Sequence, residues 1–266
     1  EIEAFGTGLG LPQQYFQTVP LETIARHIEA LKASQILAQV KGEKTLRIDV
    51  ARESEEEALY LVEDNHYRAL EIEERIEKKY PGFRLQSYRS TEKLHGLEYV
   101  RWYLVKKPAL PAKDITPEET DLKKIADKDF LSSISKETFD HYQTLIKKNK
   151  GKASPLIEAA HVGQEKNLCI TIICQSDSIP RFFINVSDVI NSHGLVSKSK
   201  YLEPLANCQT IFTFYVDDIK DEQKLRDLIS DISLIYVIPE SPLSGLFREG
   251  KLTAQEMVFG VSAWSF

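Results

Sequence analysis

Residues 168–194 read LCITIICQSDSIPRFFINVSDVINSHG, and the fold turns on them. Leu168 to Cys174 is apolar and rich in β-branched residues, short enough for a buried strand. Gln175-Ser176-Asp177-Ser178-Ile179-Pro180 then supplies turn and helix-start residues. From about Pro180 to Ser192 the apolar positions Phe182, Phe183, Val186, Val189 and Ile190 recur at helical spacing, and Gly194 ends them. Beyond that helix, strands are predicted at Leu195 to Leu202 and Thr210 to Val216, a helix at Asp221 to Ser230 and a strand at Ser233 to Ile238. From Leu168 the order is β-α-β-β-α-β, the split βαβ arrangement of ferredoxin-like units. An amphipathic helix from about Thr253 to Ala263 is expected after it.

Toward the N-terminus, Leu156 to Val162 reads as the hairpin partner of Leu168 to Cys174, through Gly163 to Asn167. A helix from about Lys136 to Lys148 precedes it, with Phe139, Tyr142, Leu145 and Ile146 on one face. Residues 108–128 hold Pro108, Pro111 and Pro117 among Asp, Glu, Thr and Lys, the composition of a linker. Ahead of them the pattern is helix, two strands, helix, two strands. The first helix is capped by Thr18, striped by Leu21, Ile24, Ala25, Ile28, Leu31, Ile36 and Val40, and stopped by Gly42. Strands follow at Thr45 to Ala51 and Ala58 to Val62, then a helix opened by Asp64 or Asn65. In that helix Tyr67, Leu70, Ile72 and Ile76 form the stripe, before Pro81-Gly82. Phe83 to Arg89 and Tyr99 to Val105 complete the set. The expected fold class is α+β: two ferredoxin-like modules with antiparallel sheets and helices packed on one face. The first spans residues 1–107 and the second 129–266, with its core at about 168–238.

The 266 residues are 42% hydrophobic and 28% charged, which fits a folded globular chain rather than a disordered one. Lys plus Arg is 34 against 40 for Asp plus Glu, a net charge of -6, which excludes a strongly basic nucleic-acid binder. No apolar run is long enough to span a membrane. The first 20 residues carry Glu1 and Glu3 and no basic residue, so no secretory signal is expected. Met257 is the sole methionine, and the chain ends on Trp264-Ser265-Phe266, so a processed start or a piece of a longer protein is expected. Cys169 and Cys174 lie five apart in one strand, on opposite faces, and cannot clamp one metal. With Cys208 they read as reduced thiols of a cytoplasmic protein.

Catalytic signals are few. Gly6-Thr7-Gly8-Leu9-Gly10 has glycine-loop spacing, but no strand precedes it and Pro12 interrupts the helix that should follow. No GxxxxGK[ST], HExxH, GxSxG or CxxC pattern occurs. His27, His66, His95, His141, His161 and His193 are scattered. Glu53-Ser54-Glu55-Glu56-Glu57 reads as a solvated turn, Lys147 to Lys152 as a cationic helix end, and Asn185-Val186-Ser187 as an idle acceptor inside a helix. No catalytic, cofactor-binding or metal-binding residue is therefore expected. One constellation remains: Asp177, Ser178, Ile179, Pro180 and Arg181 at a helix start, with Asn191 near the other end of that helix. Free backbone N–H groups and a carboxylate there suit the charged groups of a small amino acid. A helix cap at Ser178 and a C-cap at Gly194 explain the same residues.

A βαββαβ unit with Asp177-x-x-Pro180 at its first turn resembles an ACT domain, although Arg181 stands where such domains usually carry glycine. Further stretches resemble the large, ACT-bearing NAD-dependent glutamate dehydrogenases: Pro20 to Leu31; Leu85-Gln86-Ser87-Tyr88-Arg89-Ser90 with Arg101-Trp102-Tyr103-Leu104-Val105; Phe183 to Asn207 with Lys200-Tyr201-Leu202-Glu203; Ser233 to Pro239; and Phe247 to Glu256. The resemblance implies a non-catalytic regulatory and assembly region of such an oxidoreductase. Its catalytic region and NAD site would lie in the rest of the same polypeptide, as parts of a cytoplasmic homo-oligomer under amino-acid control. No cofactor belongs to this region, and neither nucleic acid nor membrane is an expected partner. The alternatives are an independent ACT-type amino-acid-binding module and a purely architectural domain.

Overall fold

A computed structural model describes residues 15–16, 19–41, 52–93, 99–111, 115–162, 167–175, 181–237 and a few positions between 243 and 257. The elements are α1 (Leu21–Lys41), β1 (Arg52–Glu53), β2 (Glu57–Glu63), α2 (His66–Lys79), β3 (Arg84–Arg89), β4 (Val100–Lys106), α3 (Leu122–Ile125), α4 (Lys128–Ser133), α5 (Lys136–Asn149), β5 (Leu156–Val162), β6 (Asn167–Gln175), α6 (Phe182–Ser192), β7 (Ser197–Pro204), β8 (Gln209–Val216) and α7 (Glu222–Val237). The expected strand Thr45 to Ala51 lies outside the described residues, as does most of the helix from Thr253. Of that helix, Thr253 and Glu256 form a reciprocal capping box, and Met257 is buried.

The eight strands among the described residues join one antiparallel sheet in the order β1-β2-β4-β3-β7-β8-β6-β5. Two equivalent halves are visible in that order. β1-β2-α2-β3-β4 and β5-β6-α6-β7-β8 follow the same path, and they meet where β3 pairs with β7 through Leu85↔Leu202 and Tyr88↔Ser199. The segment between them, residues 108–128, includes α3, whose Leu122 and Ile125 are fully enclosed with Ile173 and Ile211.

Three expectations change. Ser233 to Val237 is helix, the last turns of α7, rather than a closing strand. Leu228, Ile232 and Ile235 are buried at helical spacing, and β5 already fills the edge beside β6, so no vacancy calls for a strand. Helices cover both faces of the sheet, not one. Alternation sends Tyr60, Tyr103, Ile170 and Phe214 to the α2, α6 and α7 side, while Leu61, Tyr88 and Trp102 face α1 and Ile173 and Ile211 face α3 to α5. Both sets are apolar, so both need cover. The expected stripes also narrow: Leu21, Ile36, Val40 and Tyr67 are exposed, and Ile24 and Ile28 carry the α1 contact.

Candidate functional site: a buried charge seam

The β3–β7 junction is lined with charges that the fold encloses. On α2, Asn65 accepts the Arg68 N–H as a cap, which fixes the start of the helix. Its inward stripe of Ala69, Ile72, Ile76 and Tyr80 also brings in Glu73, fully buried, and Glu77 one turn later. Glu73 Oε1 accepts from Lys200 Nζ of β7 at 2.6 Å and from the Tyr103 hydroxyl of β4 at 2.8 Å. Lys200 also donates to Ser187 Oγ of α6 at 3.1 Å. One ammonium thus ties both halves together. Burial lowers the Lys200 ammonium below its ordinary value, against the pull of Glu73.

Arg101 of β4 repeats the theme. It donates to Asp64 at 2.6 Å, to Ser87 Oγ at 3.2 Å and, across the junction, to the Ser197 carbonyl at 2.6 Å. Burial works to raise the Asp64 carboxyl, but Arg101 and Arg89 outweigh it and hold the group below the usual range. Arg84 of β3 forks onto Glu203 of β7 at 2.5 and 2.8 Å, and its Nη2 reaches Asp127 at 3.0 Å. Such forks fix geometry as well as charge.

Of the six sequence-expected site residues, Asp177, Ser178, Ile179 and Pro180 lie outside the described residues. Arg181 is left-handed at φ 64, the region that glycine enters freely. Its guanidinium pairs with Glu74 of α2 at 2.9 Å. The Phe183 N–H, at the start of α6, donates to Glu77 Oε1 at 3.2 Å. An internal carboxylate therefore stands where a ligand carboxylate was expected. Burial, then the Glu73 charge, pushes Glu77 up to about 8, against the Phe183 N–H and Arg181. Asn191 is exposed at the far end of α6, ten residues or about 15 Å from Arg181, so the two do not converge on one small ligand. The Gly194 turn is the helix end that its sequence suggests, at φ 68 with Leu195 N–H donating to the Ile190 carbonyl.

Among the described residues, no group of three His, Cys, Asp or Glu is placed to hold a metal, and no helix is long and apolar enough to cross a membrane. Cys169, Cys174 and Cys208 are free thiols, and burial pushes Cys174 up to about 12. The seam residues that sequence reasoning passed over were Glu73, Glu77, Asp64, Arg101 and Lys200. Their one signal was position: Glu73 interrupts the apolar stripe of α2, and Arg101 and Lys200 interrupt strands.

A family model described as NAD-specific glutamate dehydrogenase, second domain, matches residues 48–249. An NAD-specific glutamate dehydrogenase of Neurospora crassa is 25% identical over all of this chain, which spans 28% of that relative. Glutamate dehydrogenase 2 of Dictyostelium discoideum is 25% identical, again over the whole chain and 31% of the relative. A probable NAD-specific glutamate dehydrogenase of Schizosaccharomyces pombe is 27% identical over 97% of this chain and 26% of its own length. The chain thus spans under a third of the length of these relatives.

Proposed function

This chain belongs to the family of the second domain of NAD-specific glutamate dehydrogenases, and we propose that it is a non-catalytic regulatory and assembly region of a longer polypeptide. The remainder of that polypeptide would oxidise L-glutamate to 2-oxoglutarate and ammonia with NAD. One observation carries the reading: the charges at the junction of the halves are engaged with one another, Lys200 with Glu73, Arg101 with Asp64 and Arg84 with Glu203. Charges engaged with one another along that junction, two of the three pairs crossing it, support architecture rather than turnover. Each half is read as an ACT-like βαββ unit. Among the described residues β1 and β5 end the sheet, and pairing of further copies at such edges is the route to a homo-oligomer. The catalytic region of the same polypeptide is the other partner, and the cytoplasm is the compartment that three reduced thiols suit.

The effector reading keeps Arg181 and the start of α6 as its site, and a small amino acid would have to displace Glu77 there. That occupancy favours the purely architectural reading for the second half. Calorimetry tests the main proposal: the chain alone is expected to show no saturable NAD binding and no NAD reduction with glutamate. Micromolar NAD binding would overturn it. A thermal-shift screen of amino acids and 2-oxoglutarate separates the two lesser readings, because a stabilising hit lost in Arg181→Ala supports the effector site.

A further inference from the structure

α2 presents Glu73 and Glu77 one turn apart on the side that packs against α6. Glu73 Oε1 is used by Tyr103 and Lys200, and Glu77 Oε1 by the Phe183 N–H. The second oxygen of each is enclosed, and neither has a hydrogen-bond partner among the described residues. Two enclosed acceptors without donors carry a desolvation penalty that one proton between them removes, since a protonated carboxyl is a donor. We propose that Glu77 is protonated in the folded chain and donates to Glu73, so that a shared proton lets the two acids lie side by side against α6, and its loss sets two like charges in that seam and loosens it.

The surrounding charges decide which acid holds the proton. Glu73 already pairs with the Lys200 ammonium at 2.6 Å. Glu77 faces Glu73 and Glu74 on its own helix, and Arg181 from the start of α6 is already paired with Glu74 at 2.9 Å. From β4, Tyr103 and Arg101 face Glu73, with Arg101 engaged by Asp64 of the β2–α2 turn. Asp188 is also buried on α6. Among the described residues, the cation that faces Glu77 is Arg181, and Glu74 shares it. In keeping with this, its carboxyl rises from 4.5 to about 8. A carboxyl raised on folding keeps its proton longer than in the unfolded chain. Its stabilisation is therefore full below 4.5 and is lost as pH climbs through about 8.

The proton sharing needs no effector and stands apart from the regulatory reading. Its test is hydrogen exchange at the Phe183 amide of the whole 266-residue chain, between about pH 6 and about pH 9 and corrected for intrinsic exchange. Protection is expected to fall with pH by up to about tenfold per pH unit. In Glu77→Gln, whose amide donates to Glu73 and accepts from Phe183 without titrating, protection is expected to stay level. A level profile in the wild type, or a Glu77→Gln profile that tracks it, overturns the idea. If that variant does not fold, infrared absorption of a protonated carboxyl in Glu203→Gln decides, because burial raises Glu203 as well, to about 7. Its presence near pH 6 and loss by about pH 9 supports the shared proton, and its absence near pH 6 refutes it.

Discussion

Lys200 is enclosed, and its partners arrive from α2 and α6. Truncating it strands the Glu73 carboxylate in a dry site, so Lys200→Met is expected to cost about 3 to 5 kcal/mol in urea unfolding. Removing both charges with Glu73→Met is expected to restore most of that, because the desolvation penalty disappears with the pair. A double variant no better than the single would show that the lysine stem, not the charge, is what matters. None of this was legible in the strand itself. Lys198 and Lys200 stand two apart in one strand, and only a glutamate far away in sequence makes one of them internal. Cys208 is a simpler case. It closes the β7–β8 turn at φ 64 and is exposed, a conformation that costs a non-glycine residue on the order of 1 kcal/mol. Cys208→Gly is therefore expected to raise stability by roughly that amount, read by thermal melting. An unchanged or lower melting temperature would count against strain at this turn.

At the scale of elements, the buried strands were readable. The runs Ala58 to Val62, Leu156 to Val162 and Leu168 to Cys174 fall within β2, β5 and β6. Their alternation or apolar continuity is a local property, so the sequence displays it. Ser233 to Ile238 misled for the same reason: its β-branched residues favour a strand locally, while the buried spacing of Leu228, Ile232 and Ile235 belongs to a helix already under way. Tertiary packing outweighs a propensity worth about 1 kcal/mol. A proline distinguishes the two states. Ser233→Pro inside α7 is expected to cost about 3 kcal/mol or more and to reduce helical circular dichroism. Tolerance of that proline would point back to an edge strand. The start of α6 was half legible. Pro180 and Gly194 bracket the helix in sequence, but its cap comes from Glu77 of another helix, which no local pattern announces.

For the whole molecule, the repeated element order was readable in the sequence, and the joining of all the strands into one sheet was not. β3–β7 pairing depends on strands more than a hundred residues apart, as does the core that Tyr60, Ile72 and Tyr103 share with Ile170, Phe183 and Phe214. Proteolytic cleavage within residues 108–128 is therefore expected to leave both fragments eluting together at the mass of the intact chain. Separate elution without denaturant would mean that the seam is weak. The β3–β7 junction has one more consequence, in terms of mass action. Two like halves that met as separate chains would part on dilution, whereas halves on one chain meet at an effective concentration of millimolar order, set by the tether. Their union is first order, and it persists at any protein level the cell maintains.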